Sequence, residues 1–191
     1  MEEIINNYDF TLDLCHTHYT NGDMGMVRST MGTMVEDWVT MIFNHINSQF
    51  NNRGEIRKGE SDRITITNQY GTSIGMQVDK HIYIDGELKC VVECKSYLDR
   101  SMMIRANDDI GRIKKYKEGV KGYIFSLENA VASKAQLFIE QEGILEGVFY
   151  LTHGKRSPIK QVWLSEHYKP LDINVLQSFT NSIQSLFEDL T

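Results

Sequence analysis

The chain has 191 residues, 41% of them hydrophobic and 24% charged, with a formal net charge of −6. This length favours one domain with a full core, and the negative charge argues against indiscriminate polyanion binding. No apolar run approaches the ~18 residues of a membrane helix, and the acidic start lacks the basic region of a signal peptide. Because Cys15, Cys90 and Cys94 show no disulfide framework, we expect a cytoplasmic protein with no membrane partner.

The first third of the chain predicts a helix over residues 33–50, where apolar residues recur at helical spacing. Thr33-x-x-Glu36 matches a capping box, in which Glu36 would bond back to the start of the helix. Glu36 is also a candidate metal ligand, although the capping role is the simpler of the two. The polar residues 51–63 are predicted to form a loop.

The rest of the chain predicts antiparallel strands first, and then strands that alternate with helices. The predicted strands cover 64–67, a hairpin at about 76–95, 123–125, 147–151 and 161–164, and the helices cover 98–118, 130–141 and 171–190. Asp99 is the candidate cap of the helix over 98–118, Gly143 would close the helix over 130–141, and residues 153–160 are predicted to form a basic loop. This order predicts an α/β fold with a mixed central β-sheet of about five strands flanked by helices. The C-terminal helix carries an apolar stripe that packs on the core or on a second subunit.

The register of the hairpin decides which residues share a face. A two-residue Asp85-Gly86 turn would give a poor hydrophobic pattern and separate Asp79 from Glu93. A three-residue loop, Ile84-Asp85-Gly86, shifts the register by one. Asp79, Glu93 and Lys95 then share a face, with Asp79 opposite Val91 and diagonal to Glu93. The apolar face would hold Val78, Ile82, Ile84, Leu88, Cys90, Val92 and Cys94.

Asp79, Glu93 and Lys95 would together suit phosphate chemistry. Two carboxylates are hard ligands for Mg²⁺, and such an ion polarises a phosphoryl oxygen and lowers the pKa of a bound water. Lys95 would orient that water or neutralise charge on the phosphate. The alternative is that Glu93 and Lys95 form an ordinary ion pair on the exposed face of a strand, with no catalytic role. The agreement between the apolar pattern and the gathered acids favours a site.

At these residues the chain resembles the PD-(D/E)xK nuclease superfamily, which includes most type II restriction endonucleases. The motif reads Asp79 and then Glu93-Cys94-Lys95, with Val78 where the family usually has proline, and the resemblance covers roughly residues 33–151. It implies metal ligation by Asp79, Glu93 and the main-chain carbonyl of Cys94, with Glu36 as a further candidate. Lys95 would be the water-positioning base or electrostatic stabiliser.

The resemblance implies a Mg²⁺-dependent endonuclease that hydrolyses double-stranded DNA to 5′-phosphate and 3′-hydroxyl ends. A homodimeric type II restriction enzyme in a single nuclease domain is the leading interpretation. A repair or recombination nuclease on the same core, and a non-catalytic DNA-binding or assembly module, are the alternatives. His81 would touch phosphate or pack as a neutral side chain, and the other candidates for DNA contact are Arg100, Arg105, Lys155 and Arg156.

Overall fold

A computed structural model describes residues 2–157 and 161–189. The helices are α1 (Glu2–Thr20), α2 (Met24–Gln49), α3 (Arg100–Tyr116), α4 (Ser133–Glu142) and α5 (Ile173–Glu188), with a 3₁₀ turn at Ser165–His167. The strands are β1 (Gly54–Lys58), β2 (Ile64–Thr67), β3 (Ser73–Met76), β4 (Lys80–Ile84), β5 (Glu87–Leu98), β6 (Lys121–Asn129) and β7 (Gly147–Tyr150).

The central sheet has five strands in the order β1-β4-β5-β6-β7. The pairs β1–β4 and β4–β5 are antiparallel, whereas β5–β6 and β6–β7 are parallel. Helices α3 and α4 make the two parallel crossovers, as parallel pairing requires. This confirms the predicted α/β class and the mixed sheet. Strands β2 and β3 form a separate antiparallel pair.

Apolar side chains on both faces of the sheet hold the helices in place. The larger core lies between the sheet and helices α1, α2 and α5. On the opposite face, α3 and α4 pack with the β2–β3 pair over two smaller clusters. The apolar stripe of α5 enters the larger core, where the ring of Phe179 lies 4.4 Å from that of Phe125.

The N-terminal region is more helical than the sequence predicted. Helix α2 begins at Met24, and the side chain of Asp23 caps it by accepting a hydrogen bond from the Met26 N–H at 3.0 Å. Thr33 and Glu36 therefore lie inside the helix, and the capping-box interpretation was wrong. Helix α1, which precedes it, was not predicted.

Two other local predictions were wrong, and two were confirmed. Residues 51–63 contain the edge strand β1, whose polar sequence reflects half-buried side chains. Residues 161–164 form no strand and lead into the 3₁₀ turn instead. Asp99 caps α3 through the Met102 N–H at 2.8 Å, and Gly143 ends α4 with a left-handed φ of 64°. The basic loop predicted at 153–160 lies partly outside the described residues, because 158–160 are not among them.

No helix in residues 2–157 and 161–189 is both long and apolar enough to cross a membrane.

Candidate active site

The tip of the β4–β5 hairpin is a two-residue turn, so the predicted three-residue loop was wrong. Ile84 pairs with Glu87, and the residues between them, Asp85 and Gly86, have φ values of 52° and 81°. Two successive positive φ angles are the signature of a type I′ turn. An ion pair from Arg53 to Asp85 holds the tip against the start of β1.

A β-bulge just beyond the turn produces the register shift that the sequence analysis had assigned to the loop. Tyr83 pairs with Leu88 but Ile82 pairs with Cys90, so Lys89 is the extra residue on β5. Such a bulge changes the alternation of side chains beyond it. The larger core thus receives Ile82, Ile84, Cys90, Val92 and Cys94, as predicted.

Two apolar residues lie on the other face of the sheet from the one predicted. Val78 and Leu88 pack in the cluster with Val91, because Val78 precedes β4 and Leu88 precedes the bulge. The partner predicted for Asp79 was also wrong, since Val91 pairs with His81. Lys80 and Val92 form the last pair of the ladder, and Asp79 lies one residue beyond it, next to Glu93.

The structure brings Asp79, Glu93 and Lys95 together. The ammonium Nζ of Lys95 lies 3.0 Å from Oδ2 of Asp79 and 2.7 Å from Oε1 of Glu93. The side chain of Asp79 is 26% exposed, that of Glu93 is 14% exposed and that of Lys95 is 20% exposed. The three groups are therefore largely desolvated but still open to a ligand from one side.

Asp79 is fixed from the backbone of the neighbouring strand. The main-chain N–H of Cys94 donates a hydrogen bond to Oδ2 of Asp79 at 2.8 Å. In a β-strand the N–H and C=O of one residue point toward the same neighbour. The carbonyl of Cys94 therefore points to the same edge as Asp79, where the resemblance expects a third metal ligand.

Burial and like charge set the protonation of the site. Burial raises the pKa of Glu93, and the negative charge of Asp79 raises it further, while Lys95 acts in the opposite direction. Burial alone would lower the pKa of Lys95, but the charges of Glu93 and Asp79 more than offset it and the net shift is upward. The site thus holds a firmly protonated lysine beside a glutamate whose ionised form would be stabilised by any added positive charge.

Glu36 reaches this region from α2, but it has a partner there that the sequence did not reveal. Its Oε2 lies 3.3 Å from Nζ of Lys80, whose side chain is only 1% exposed. Burial raises the pKa of the Cys94 thiol, and the charges of Asp79 and Glu36 raise it further. Glu36 therefore neutralises a buried ammonium and acts on Cys94 from the α2 face of the sheet. A buried lysine has no signal in a single sequence.

His81 lies beneath the surface and does not face a ligand. Its side chain is fully buried between β1 and β5, opposite Arg57 and Val91. Desolvation lowers its pKa, more than the nearby Asp62 carboxylate and carbonyl groups raise it. Neither ring nitrogen has a well-aligned hydrogen bond among the described residues. Of the two roles expected for His81, the structure supports packing as a neutral side chain and does not support contact with phosphate.

Gly59 supports the main chain of Asp79 from outside the sheet. Its N–H donates a hydrogen bond to the carbonyl of Asp79 at 3.1 Å. A Cβ at this position would lie 1.7 Å from the Val78 carbonyl oxygen, which is far inside contact distance. Only glycine allows the chain after β1 to approach the site so closely.

The four basic residues predicted to contact DNA divide into two groups. Arg100 and Arg105 are exposed on α3, which begins directly after β5. Lys155 is exposed too, but its Nζ donates to Oδ1 of Asn129 at 3.0 Å. Arg156 stacks over the ring of Tyr97, 4.1 Å from its centroid. The last two therefore already have structural partners.

The donor set at this edge suits a hard divalent cation. Two carboxylates and one main-chain carbonyl supply oxygen ligands, and water would complete the shell of Mg²⁺. Among the described residues no three His, Cys, Asp or Glu side chains cluster closely enough to hold a metal ion. Any cation here would rest on Asp79, Glu93 and backbone oxygen, with Lys95 displaced from between the carboxylates.

No protein-family model matches the chain, and no curated protein matches it either. The chemical arrangement of the site is therefore the basis for assigning a function.

Proposed function

We propose that the protein is a Mg²⁺-dependent endonuclease that hydrolyses phosphodiester bonds in DNA. The observation that carries the proposal is the position of the Lys95 ammonium, between the carboxylates of Asp79 and Glu93 at an open strand edge. Because the three side chains are only partly buried, a cation or a phosphate can reach them without unfolding of the strand edge. The resemblance to the PD-(D/E)xK superfamily gives the same three residues the same roles.

In this proposal each group has a separate task. Asp79 and Glu93 present oxygen ligands, and the N–H of Cys94 keeps the Asp79 carboxylate oriented. When bound, Mg²⁺ would supply polarisation of a phosphoryl oxygen and a water of lowered pKa. Lys95, displaced toward the phosphate, stabilises the negative charge that develops there. The water oxygen bonds to phosphorus as the P–O3′ bond breaks, which leaves a 5′-phosphate and a 3′-hydroxyl.

The proposal is tested by incubating the purified protein with plasmid and phage DNA, with Mg²⁺ and with EDTA. We expect cleavage only with Mg²⁺, and its loss in Glu93→Gln and Lys95→Met. Lys89→Met is the matched control, because Lys89 lies on the same strand but pairs with Glu87. An inactive wild-type protein on every DNA tried, with Mg²⁺ or Mn²⁺, would leave the non-catalytic DNA-binding module as the better interpretation.

The type of nuclease follows from the products. A restriction enzyme gives discrete fragments of phage DNA, whereas a repair or recombination nuclease gives structure-dependent cuts. We propose the restriction type, on double-stranded DNA. Cutting both strands of a palindrome calls for two sites related by a two-fold axis, hence a homodimer. Sedimentation of the protein with and without a cleaved duplex would measure that dimer.

A further inference from the structure

Helices α3 and α4 enclose a groove on the face of the sheet opposite α2. The two helices run in the same direction, because each connects two parallel strands. The groove between them has a volume of about 490 Å³. None of Asp79, Glu93 and Lys95 lines it. It is therefore distinct from the candidate active site.

The groove exposes large apolar side chains to solvent. Phe138 on α4 is 62% exposed, Leu137 beside it is 54% exposed, and Ile104 on α3 is 39% exposed. Phe138 and Ile104 line the groove together with Met103 and Ala135. Neighbouring exposed apolar side chains of this size mark an interaction surface on a folded protein.

Each of the two helices carries a cation, an apolar residue and an acid, in that order and at every fourth position. These residues are Lys134, Phe138 and Glu142 on α4, and Arg100, Ile104 and Asp108 on α3. Side chains spaced by four residues lie along one face of a helix. The groove therefore has a positive end where both helices begin, an apolar centre and a negative end.

This order of charges is self-complementary. Under a two-fold axis through the apolar centre, a second copy lies antiparallel on the first, and every contact is made twice. The positive end of each groove then meets the negative end of the other. Lys134 and Glu142 are equally far from Phe138 along α4, as such an axis requires. A second copy is thus the partner that the charges fit on both helices.

Asn107 gives an independent indication at the negative end. It is 1% exposed, and its Nδ2 donates a hydrogen bond to Oε2 of Glu142 at 2.7 Å. Its Oδ1 is buried and has no hydrogen-bond partner among the described residues. A buried acceptor without a donor needs an explanation, since nearly all such groups are paired. The antiparallel arrangement brings the donors of Arg100 and Lys134 of the second copy to this end.

We propose that the groove between α3 and α4 is the surface through which two copies of this chain pair, with Phe138 at the centre. The inference rests on the homodimer of the proposed function and deepens it, because it gives that dimer a defined interface. Arg100 then belongs to the interface, and Arg105 is left as the candidate on α3 for DNA contact.

The first test is sedimentation velocity of the protein without DNA or metal, over a range of concentrations. We expect the wild-type protein to dimerise. Phe138→Ser should raise the dissociation constant of the dimer by about 30-fold or more, the effect expected of a hot-spot residue. Phe10→Ser is the matched control, a phenylalanine that is 68% exposed on α1, and should dimerise as wild type.

The second test exchanges the charges. An acidic variant carries Arg100→Glu with Lys134→Glu, and a basic variant carries Asp108→Lys with Glu142→Lys; all four residues are exposed. Each variant alone places like charges against each other at both ends of the dimer, so each should be monomeric. Mixed in equal amounts, the two should form a heterodimer, because opposite charges then meet at both ends. Damage to the fold cannot produce this rescue.

The inference is overturned if the wild-type protein stays monomeric at every concentration reached, if Phe138→Ser dimerises as tightly as Phe10→Ser, or if the two folded charge variants stay apart when mixed. If one of these results is found while Mg²⁺-dependent cleavage persists, the inference fails alone. If the dimer responds as expected but no DNA is cut, the proposed nuclease activity fails alone.

Discussion

The main-chain N–H of Cys94 donates its hydrogen bond to the side chain of Asp79, 2.8 Å away, where the β4–β5 ladder has just ended. The Asp79 carboxylate thus accepts the hydrogen bond that a main-chain carbonyl would accept if the β4–β5 ladder continued. This couples the orientation of Asp79 to the edge of β5. The same contact satisfies a backbone donor that is otherwise left without a strand partner.

The two uses of the Asp79 carboxylate can be separated by substitution. Asp79→Asn keeps an acceptor for the Cys94 N–H but removes the charge, so we expect near-native stability and loss of Mg²⁺ binding. Asp79→Ala removes both, and should lower the free energy of unfolding by a further ~1–3 kcal/mol, the cost of an unpaired buried donor. Urea denaturation and calorimetric Mg²⁺ titration measure the two effects. Equal stability of both variants would contradict the role of the hydrogen bond.

The raised pKa of Glu93 makes stability depend on pH in a definite direction. The folded protein holds this proton more tightly than the unfolded chain does, because burial and Asp79 oppose ionisation. Ionisation of Glu93 therefore costs stability as the pH rises from the ordinary glutamate value of 4.5 through the raised pKa. We expect Glu93→Gln, which mimics the protonated acid, to gain stability relative to wild type across that window. Urea denaturation from pH 4 to pH 8 measures the difference, and a constant difference would contradict it.

Removal of Lys95 should make the site dependent on a cation. Lys95→Met leaves Asp79 and Glu93 facing each other without a positive charge, so we expect it to lose about 1–3 kcal/mol at pH 7. Mg²⁺ should raise the melting temperature of this variant more than that of wild type, because it replaces the lost charge. Lys89→Met, with its exposed partner Glu87, should show neither effect. An equal response of both variants to Mg²⁺ would argue against a cation at this site.

Gly59 lies outside the candidate site, yet its substitution should affect the site. Gly59→Ala forces the added Cβ against the Val78 carbonyl and shifts the neighbouring Asp79. We expect weaker Mg²⁺ binding and lower activity together with lower stability. The control is Gly32→Ala on α2, where a Cβ has open space and should raise helix stability by up to ~1 kcal/mol. Normal Mg²⁺ affinity in Gly59→Ala would show that the Asp79 backbone tolerates the movement.

Several features could be predicted because they depend on local sequence. The caps at Asp99 and Gly143 follow from side chains next to the helix ends. The gathering of Asp79, Glu93 and Lys95 on one face followed from the apolar alternation of β5. The assumed route to it was wrong, because a longer loop and a bulge shift side chains in the same sense, and only the backbone separates the two.

Other features depend on distant partners and left no local trace. The burial of Lys80 requires Glu36 from α2, and the exclusion of His81 from solvent requires the chain around Gly59. Strand β1 alternates too weakly to be distinguished from a loop, because an edge strand has one side open to water. These are tertiary effects that override local propensity.

Because of the bulge at Lys89, the alignment of Asp79 with Glu93 does not depend on the number of residues near the hairpin tip. Leu88 already pairs with Tyr83, and Cys90 with Ile82, so loss of the residue between them would leave a regular ladder with both pairs unchanged. Related chains that lack one residue here would keep their acidic pair and their lysine in place. A deletion between Cys90 and Glu93 would instead turn them toward the opposite face of the sheet.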